Sequence, residues 1–285
     1  VSIFSLLKNM PPFDLAQLGY WELRLAADWL SKHRKQSISE VDLVSGQISL
    51  SRQEVRWLNQ KLAKLAQGYP LDYLLSQIQF AHLQITVLPG VFIPRPETEA
   101  WVQKLRQTWP ATWWSDVDLV VDMCAGTGVL GLSLADLVPQ VVCADRSVKA
   151  IKNIFQNLAL NHITNCQVFQ SDLFANSQLT NLIKASPNWV LVCNPPYVPT
   201  IDEPYRSERN LQFEPKRAIF SGRDGLSTFR RLVHQLDSLP KPKLVVFELD
   251  PRNIRQAQKL LDPWFETEVW LDDNGWERVL VGIRK

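Results

Sequence analysis

From residue 115 onward, short apolar runs alternate with segments of helical periodicity, and no other feature constrains the fold as tightly. The runs near 118–123, 141–145, 167–171, 189–194, 243–249, 266–272 and 277–284 read as strands. Helical spacing fits near 129–138, 147–160, 226–238 and 251–262. Strands joined by helical crossovers form βαβ units, so the expectation is a mostly parallel α/β sheet covered on both faces. The last two strands are joined by Asp272-Asp-Asn-Gly-Trp, in which Asn274-Gly275 signals a tight antiparallel hairpin. A parallel sheet that ends in such a hairpin departs from a plain dinucleotide-binding sheet.

The first 70 or so residues are of another kind. Trp21, Leu25 and Trp29 share one helical face, as do Val55, Leu58, Leu62 and Leu65. Ser51 with Glu54 three residues on is a capping-box pattern, and Ser39 opens another short capped helix. Between the two parts, Gln84-Ile-Thr-Val-Leu-Pro-Gly-Val-Phe-Ile-Pro reads as two short strands around a Pro-Gly turn. The expected division is a helical domain over 1–78, a β-hairpin connector over 79–98 and an α/β domain over 99–285. Trp21, Trp29 and Trp189 stand in patterns that predict core positions.

Composition removes several function classes. With 46% hydrophobic residues and a net charge of +2, the chain is no disordered acidic or basic protein. No apolar run approaches the ~20 residues of a membrane span. The start, Val1-Ser-Ile-Phe-Ser-Leu-Leu-Lys, lacks the charged and long apolar parts of a signal peptide, so a cytoplasmic protein is expected. Cys124, Cys143, Cys166 and Cys193 include no C-x-x-C pair and read as reduced thiols, and His33, His82, His162 and His234 lack metal-ligand spacing. No metal is expected. Residues 1–80 hold nine Lys/Arg and seven Asp/Glu, leaving 22 of each sign elsewhere. That balance lacks the basic excess of a protein gripping phosphates, which argues against a nucleic-acid partner.

Strand 118–123 runs into Asp122-Met-Cys-Ala-Gly-Thr-Gly-Val-Leu-Gly131. Gly126-x-Gly128-x-x-Gly131, with Asp145 ending the next strand, matches a dinucleotide fingerprint. Glycines admit a ligand close to the backbone, and an acid at the end of the second strand accepts both ribose hydroxyls. NAD and S-adenosylmethionine satisfy both features equally. Asp122 favours the second, because a carboxylate ahead of the glycines repels a pyrophosphate and attracts a sulfonium and an ammonium. The plainer readings are a loop cap for Asp122 and a helix N-cap for Asp145. Ser171-Asp172-Leu173 ends the third strand, where an acid and an apolar neighbour suit an adenine.

The most specific chemical signal is Asn194-Pro195-Pro196-Tyr197, at the end of strand 189–193. Two prolines make a stiff corner that exposes the preceding carbonyls. The Asn194 side-chain oxygen and the Pro195 carbonyl can each accept one hydrogen of a planar NH₂ group, with Tyr197 stacked on its plane. Such a clamp orients the nitrogen lone pair in line with a methyl donor and stabilises the positive charge that builds on nitrogen. The motif signals a planar amine and leaves glutamine, adenine and cytosine open.

Together these residues resemble the protein-glutamine N5-methyltransferase family, which modifies the Gly-Gly-Gln glutamine of peptide chain release factors. Tyr69-Pro-Leu-Asp-Tyr-Leu-Leu, Phe80, and Phe92-Ile-Pro-Arg-Pro-Glu-Thr-Glu99 are similar to that family's connector, and Phe213-Glu-Pro and Gly222-x-Asp-Gly225 to its loop after the Asn corner. The similarity covers about residues 69–285. It implies a class I S-adenosylmethionine-dependent methyltransferase: a Rossmann-like seven-stranded sheet with a terminal hairpin, plus the N-terminal helices. It implies that Asp122, Cys124, Ala125, Gly126, Thr127 and Gly128 serve the cofactor, with Asp145 on the ribose and Asp172-Leu173 near the adenine. Asn194 would touch cofactor and substrate, Pro195, Pro196 and Tyr197 would shape the glutamine pocket, and Arg95, Glu97 and Glu99 would lie beside it. The implied partner is a release factor, met by a monomer. Departures are Glu248-Leu-Asp250 and Asn253 where the family has Glu-x-Gly and Gln, Pro240-Lys-Pro-Lys without the usual glycines, and Ser76 for a common Gly. Ribosomal protein L3 is a sibling substrate that these residues leave open, and a DNA or RNA adenine amine is the alternative from another class. An NAD-dependent oxidoreductase would rest on the glycines alone.

Overall fold

A computed structural model describes residues 19–45, 48–205 and 211–285; the start Val1–Lys8 lies outside them. The described residues fall into two compact units, one up to Ile78 together with residues 211–213, the other holding the rest.

In the helical unit, α1 (Tyr20–Arg34), α2 (Glu40–Val44) and α3 (Arg52–Ala66) enclose a small core of Ala26, Leu30, Leu43 and Leu58. Both expected capping boxes are present, Ser39 with Asp42 and Ser51 with Glu54. Glu54 also accepts from Arg34 at 2.8 Å, and that bond holds its carboxyl down at about 2. Trp29 stacks on Trp57 with centroids 3.9 Å apart and is only partly buried. Trp21 departs from the core expectation: it is 54% exposed, one turn before the buried stripe begins at Leu25.

The larger unit opens with a small hairpin, β1 (Ile78–Phe80) and β2 (Leu83–Ile85), not with strands on either side of Pro89-Gly90. The reason lies on α7 (Val148–Leu160). Asn153, Asn157 and Asn161 follow one another at i, i+4 and i+8 along this helix and its C-cap, and their side chains take the backbone bonds that a partner strand would otherwise take. Thr86 N–H donates to Asn157 Oδ1 at 2.9 Å and Leu88 N–H to Asn153 Oδ1 at 2.8 Å. Segment 84–88 is thus fastened to a helix face.

Helix α4 (Pro96–Thr108) follows, and its first turn takes up the last residues of the connector expected over 79–98. Pro96 at its first position presets φ, and Thr98, Trp101, Val102 and Leu105 form the buried stripe. The short α5 (Ala111–Trp114) leads into the sheet.

The sheet has seven strands in the order β5-β4-β3-β6-β7-β9-β8. Here β3 is Leu119–Met123, β4 Val141–Asp145, β5 Cys166–Gln170, β6 Trp189–Cys193 and β7 Leu244–Glu248. The pairs from β5 through β7 are parallel, and β8 (Phe265–Leu271) with β9 (Glu277–Arg284) closes the edge antiparallel. The expected parallel sheet with its terminal hairpin is therefore the architecture. Strands β3, β6 and β7 are buried at every position, as central strands covered on both faces must be. Helix α6 stops at Val129–Ser133, shorter than the 129–138 expected, and α8 (Ser177–Lys184) precedes β6. The short α9 (Lys216–Ile219), then α10 (Ser227–Leu236) and α11 (Ile254–Leu261), complete the unit.

Candidate active site

The first strand of the seven-stranded sheet in chain order, β3, has β4 on one side and β6 on the other. Strand order reverses there, and the connections leaving the carboxyl ends of β3 and β6 diverge to opposite faces and open a crevice. The two strongest sequence motifs occupy those ends: the glycine turn follows β3, and Asn194-Pro195-Pro196-Tyr197 follows β6. A cavity of about 370 Å³ fills the crevice. Cys124, Ala125, Gly126 and Thr127 line it, as do Asp145, Asp172 and Leu173, and so do Asn194 and Pro196. Asp122, Gly128, Arg95, Glu97, Pro195 and Tyr197 are not on its wall.

The turn is built to leave backbone open. Cys124 has φ +60° and Gly126 φ +57°, and a side-chain carbon at Gly126 would meet nothing within 4 Å. The vacant space beside Gly126 is where a ligand can lie against the main chain. Asp145 ties the turn to β4: its Oδ2 accepts from Gly126 N–H at 2.9 Å and its Oδ1 from Ser147 N–H at 2.8 Å. Burial raises its pKa against the opposing pull of those two bonds. Each carboxylate oxygen keeps a further lone pair for a hydroxyl. Asp172 is held by Arg231 at 2.8 Å.

Asp122 differs from expectation. Its side chain is fully buried under the turn, where Oδ2 accepts from Gly131 N–H at 2.9 Å and Oδ1 has no partner among the described residues. Burial pushes the carboxyl up to about 8, so at neutral pH it is mostly protonated. The acids that face the cavity are Asp145 and Asp172.

At the other motif, Tyr197 turns its hydroxyl to Glu248 Oε1 at 3.0 Å. Burial, and then the charge of Glu248, push the phenol well above its usual range. The corner is pinned from a neighbouring loop: Val198 N–H donates to the Ile219 carbonyl at 2.9 Å, and Thr200 N–H to that of Gly222 at 2.8 Å. Gly225, with φ +84°, lies so close to the Tyr197 carbonyl that an added side-chain carbon would sit 2.1 Å from its oxygen. The Gly222-x-Asp-Gly225 motif is thus a clamp on the Asn-Pro-Pro-Tyr corner.

The fold recurs in the T. thermophilus 16S rRNA N2 G1207 methyltransferase, with a TM-score of 0.50 at 18% identity, over 73% of this chain and 50% of that one. The family model described as Methyltransferase small domain matches residues 83–216. The release factor glutamine methyltransferase of Thermodesulfovibrio yellowstonii is 27% identical over 250 residues, which cover 86% of this chain and 87% of that protein. The one from Geobacter sulfurreducens is 30% identical over 279 residues, covering 94% of this chain and 92% of that protein. The chain belongs to the release factor glutamine methyltransferase family. It has the class I methyltransferase fold and it is a methyltransferase.

In this member of the release factor glutamine methyltransferase family, contacts that the sequence did not announce surround the Asn-Pro-Pro-Tyr corner. Glu248, 1% exposed, accepts from Thr98 Oγ1 at 2.6 Å, Trp101 Nε1 at 2.8 Å and Tyr197. Asn194 Nδ2 donates to Thr98 Oγ1 at 3.3 Å. Buried Glu214, in the Phe213-Glu-Pro segment, accepts from Ile93 N–H at 3.0 Å and pairs with Arg95. Glu99 accepts from Ala81 N–H at 2.8 Å. One signal was legible: a lone Glu at the end of an apolar strand, as in Leu244-Val-Val-Phe-Glu248, must find donors inside the protein.

Proposed function

We propose that this protein transfers a methyl group from S-adenosylmethionine to the side-chain amide nitrogen of the glutamine in the Gly-Gly-Gln motif of a peptide chain release factor, a cytoplasmic modification that serves translation termination. The observation that carries the reading is Asn194 on the cavity wall beside the glycine turn, with one hydrogen of its NH₂ group given to Thr98 and its carbonyl oxygen without a partner among the described residues. The family relatives support the choice of a release factor over ribosomal protein L3 or an adenine.

In this reading Cys124–Thr127 cradle the donor's amino-acid end, Asp145 accepts from its ribose hydroxyls, and Asp172 and Leu173 flank its adenine. S-adenosylmethionine supplies an electrophilic methyl group next to a positive sulfur. The chain supplies orientation. Asn194 Oδ1 and the Pro195 carbonyl each accept one N–H of the glutamine amide, which turns its lone pair toward the methyl group and shields it from water. The same acceptors stabilise the positive charge that develops on nitrogen, so no side chain has to remove the proton before transfer. Tyr197, with its hydroxyl on Glu248, shapes the amide's pocket from behind the corner. The helical part over 1–78 recognises the body of the release factor, 79–98 connects, and 99–285 catalyses.

Transfer of labelled methyl groups to a release factor, its Gln→Ala variant in Gly-Gly-Gln, ribosomal protein L3 and DNA tests the reading. Label is expected on the release factor and lost with the Gln→Ala change. Label on L3 or DNA in its place would refute it. Asn194→Ala should keep donor binding and lower turnover by roughly a hundredfold or more, as loss of a positioned acceptor does.

A further inference from the structure

An amide side chain can present either end. Asn194 orients the substrate only if its oxygen faces the cavity, because its NH₂ group would meet the substrate's NH₂ donor to donor. Nothing at residue 194 itself settles which end is presented; the surroundings do. Glu248 is buried at the end of β7, where Thr98, Trp101 and Tyr197 all donate to it, so its carboxyl group acts there as an acceptor. It takes the single hydroxyl hydrogen of Thr98 at 2.6 Å. With that hydrogen committed, Thr98 Oγ1 has only lone pairs left to offer, so the group against it must be a donor. That group is Asn194 Nδ2 at 3.3 Å.

We propose that Thr98, oriented by Glu248, is the positioning residue that fixes the Asn194 amide with its oxygen toward the substrate nitrogen. The chain of polarity runs one way, from an accepting carboxyl group through a hydroxyl to the amide. It makes the site select a substrate NH₂ group and refuse a carbonyl or carboxylate in the same place. Thr98 is suited to the task because it stands 2% exposed in the first turn of α4, on the cavity wall, with no freedom to swing away. Trp101, one turn on, donates to the same Glu248 oxygen at 2.8 Å and holds the carboxylate in place. The inference rests on the proposed release-factor reading, since it assigns a partner to the residue that reading puts at the centre.

The test compares Thr98→Val with Thr98→Ser in the full chain, with release factor as acceptor. Val keeps the shape and loses the hydroxyl; Ser keeps the hydroxyl. For Thr98→Val the expected result is a kcat lower by roughly tenfold to a hundredfold, the scale of a misoriented reacting group. Calorimetry should give a donor Kd within about twofold of the parent, and Thr98→Ser should recover most of the lost turnover. A structural role alone would move melting temperature and donor affinity together and would not be restored by Ser. If the buried Val is not accommodated, Thr98→Ala removes the hydroxyl without added bulk and gives the same comparison. Parent-like kcat in a folded Thr98→Val or Thr98→Ala protein overturns the proposal, as does a Thr98→Ser variant as slow as either. If the unmutated protein leaves a release factor unlabelled, the functional reading fails first and takes this assignment with it.

Discussion

Asp122 stands ahead of the glycine turn, as its place in the sequence requires, but it does not face the cavity. From sequence, an acid ahead of a glycine turn offers charge to a cationic ligand. In the folded chain the same acid is sealed from solvent with one oxygen on Gly131 N–H, and its pKa rises to about 8. The unfolded carboxyl titrates near ~3.9, so between roughly pH 4 and 8 the native state binds the extra proton. The stability this group contributes is complete below the unfolded value and is lost as pH climbs through the folded one. Asp122→Asn cannot titrate. Relative to the parent it should gain stability progressively from about pH 5 and hold a constant advantage above about pH 8. Melting temperatures of both proteins across that range check it; parallel curves would mean that Asp122 is ionised in the native state. The burial responsible was invisible locally, because depth under a turn is set by what packs over it.

Elements were legible where one segment specifies itself. Ser51 with Glu54 marks a helix start from four residues, and Asn274-Gly275 marks a hairpin from two; both are present, with Gly275 at φ +79°. The connector was misread because its partner is remote. Nothing within 84–94 says that its backbone will be satisfied by Asn153 and Asn157, some 65 residues or more away in sequence. Within α7 these asparagines look like indifferent helix residues, yet both are fully buried. Asn157 matters most: it accepts from Thr86 N–H at 2.9 Å and donates to the Thr127 carbonyl at 2.9 Å, tying the connector to the glycine turn. Asn157→Leu therefore removes an acceptor and a donor from buried backbone groups, at about 1–3 kcal/mol each. A loss of roughly 2–6 kcal/mol in denaturant unfolding is expected, with faster amide exchange at Thr86. A loss under about 1 kcal/mol would show that water replaces the side chain at both ends.

At the scale of the whole molecule, alternation from residue 115 onward was enough for the sheet, because parallel strands and crossover helices admit few arrangements. The same topology explains why two motifs some 65 residues apart meet: both end strands that flank the reversal in strand order. What alternation left open is how one glutamine is chosen among all those exposed on cellular proteins. The clamp proposed at Asn194 would recognise an NH₂ group, which every glutamine and asparagine carries, so selectivity has to come from contacts far from the reacting nitrogen. Binding energy from such remote contacts is realised as orientation at the reacting group, and a truncated substrate loses it. A short peptide bearing Gly-Gly-Gln should therefore be methylated with a kcat/KM lower than that of an intact release factor by roughly a hundredfold or more, at unchanged donor affinity. Steady-state kinetics on the two substrates, with donor Kd measured alongside, checks it. A peptide as good as the intact protein would confine recognition to the α/β part and leave the helices over 1–78 without a part in substrate choice.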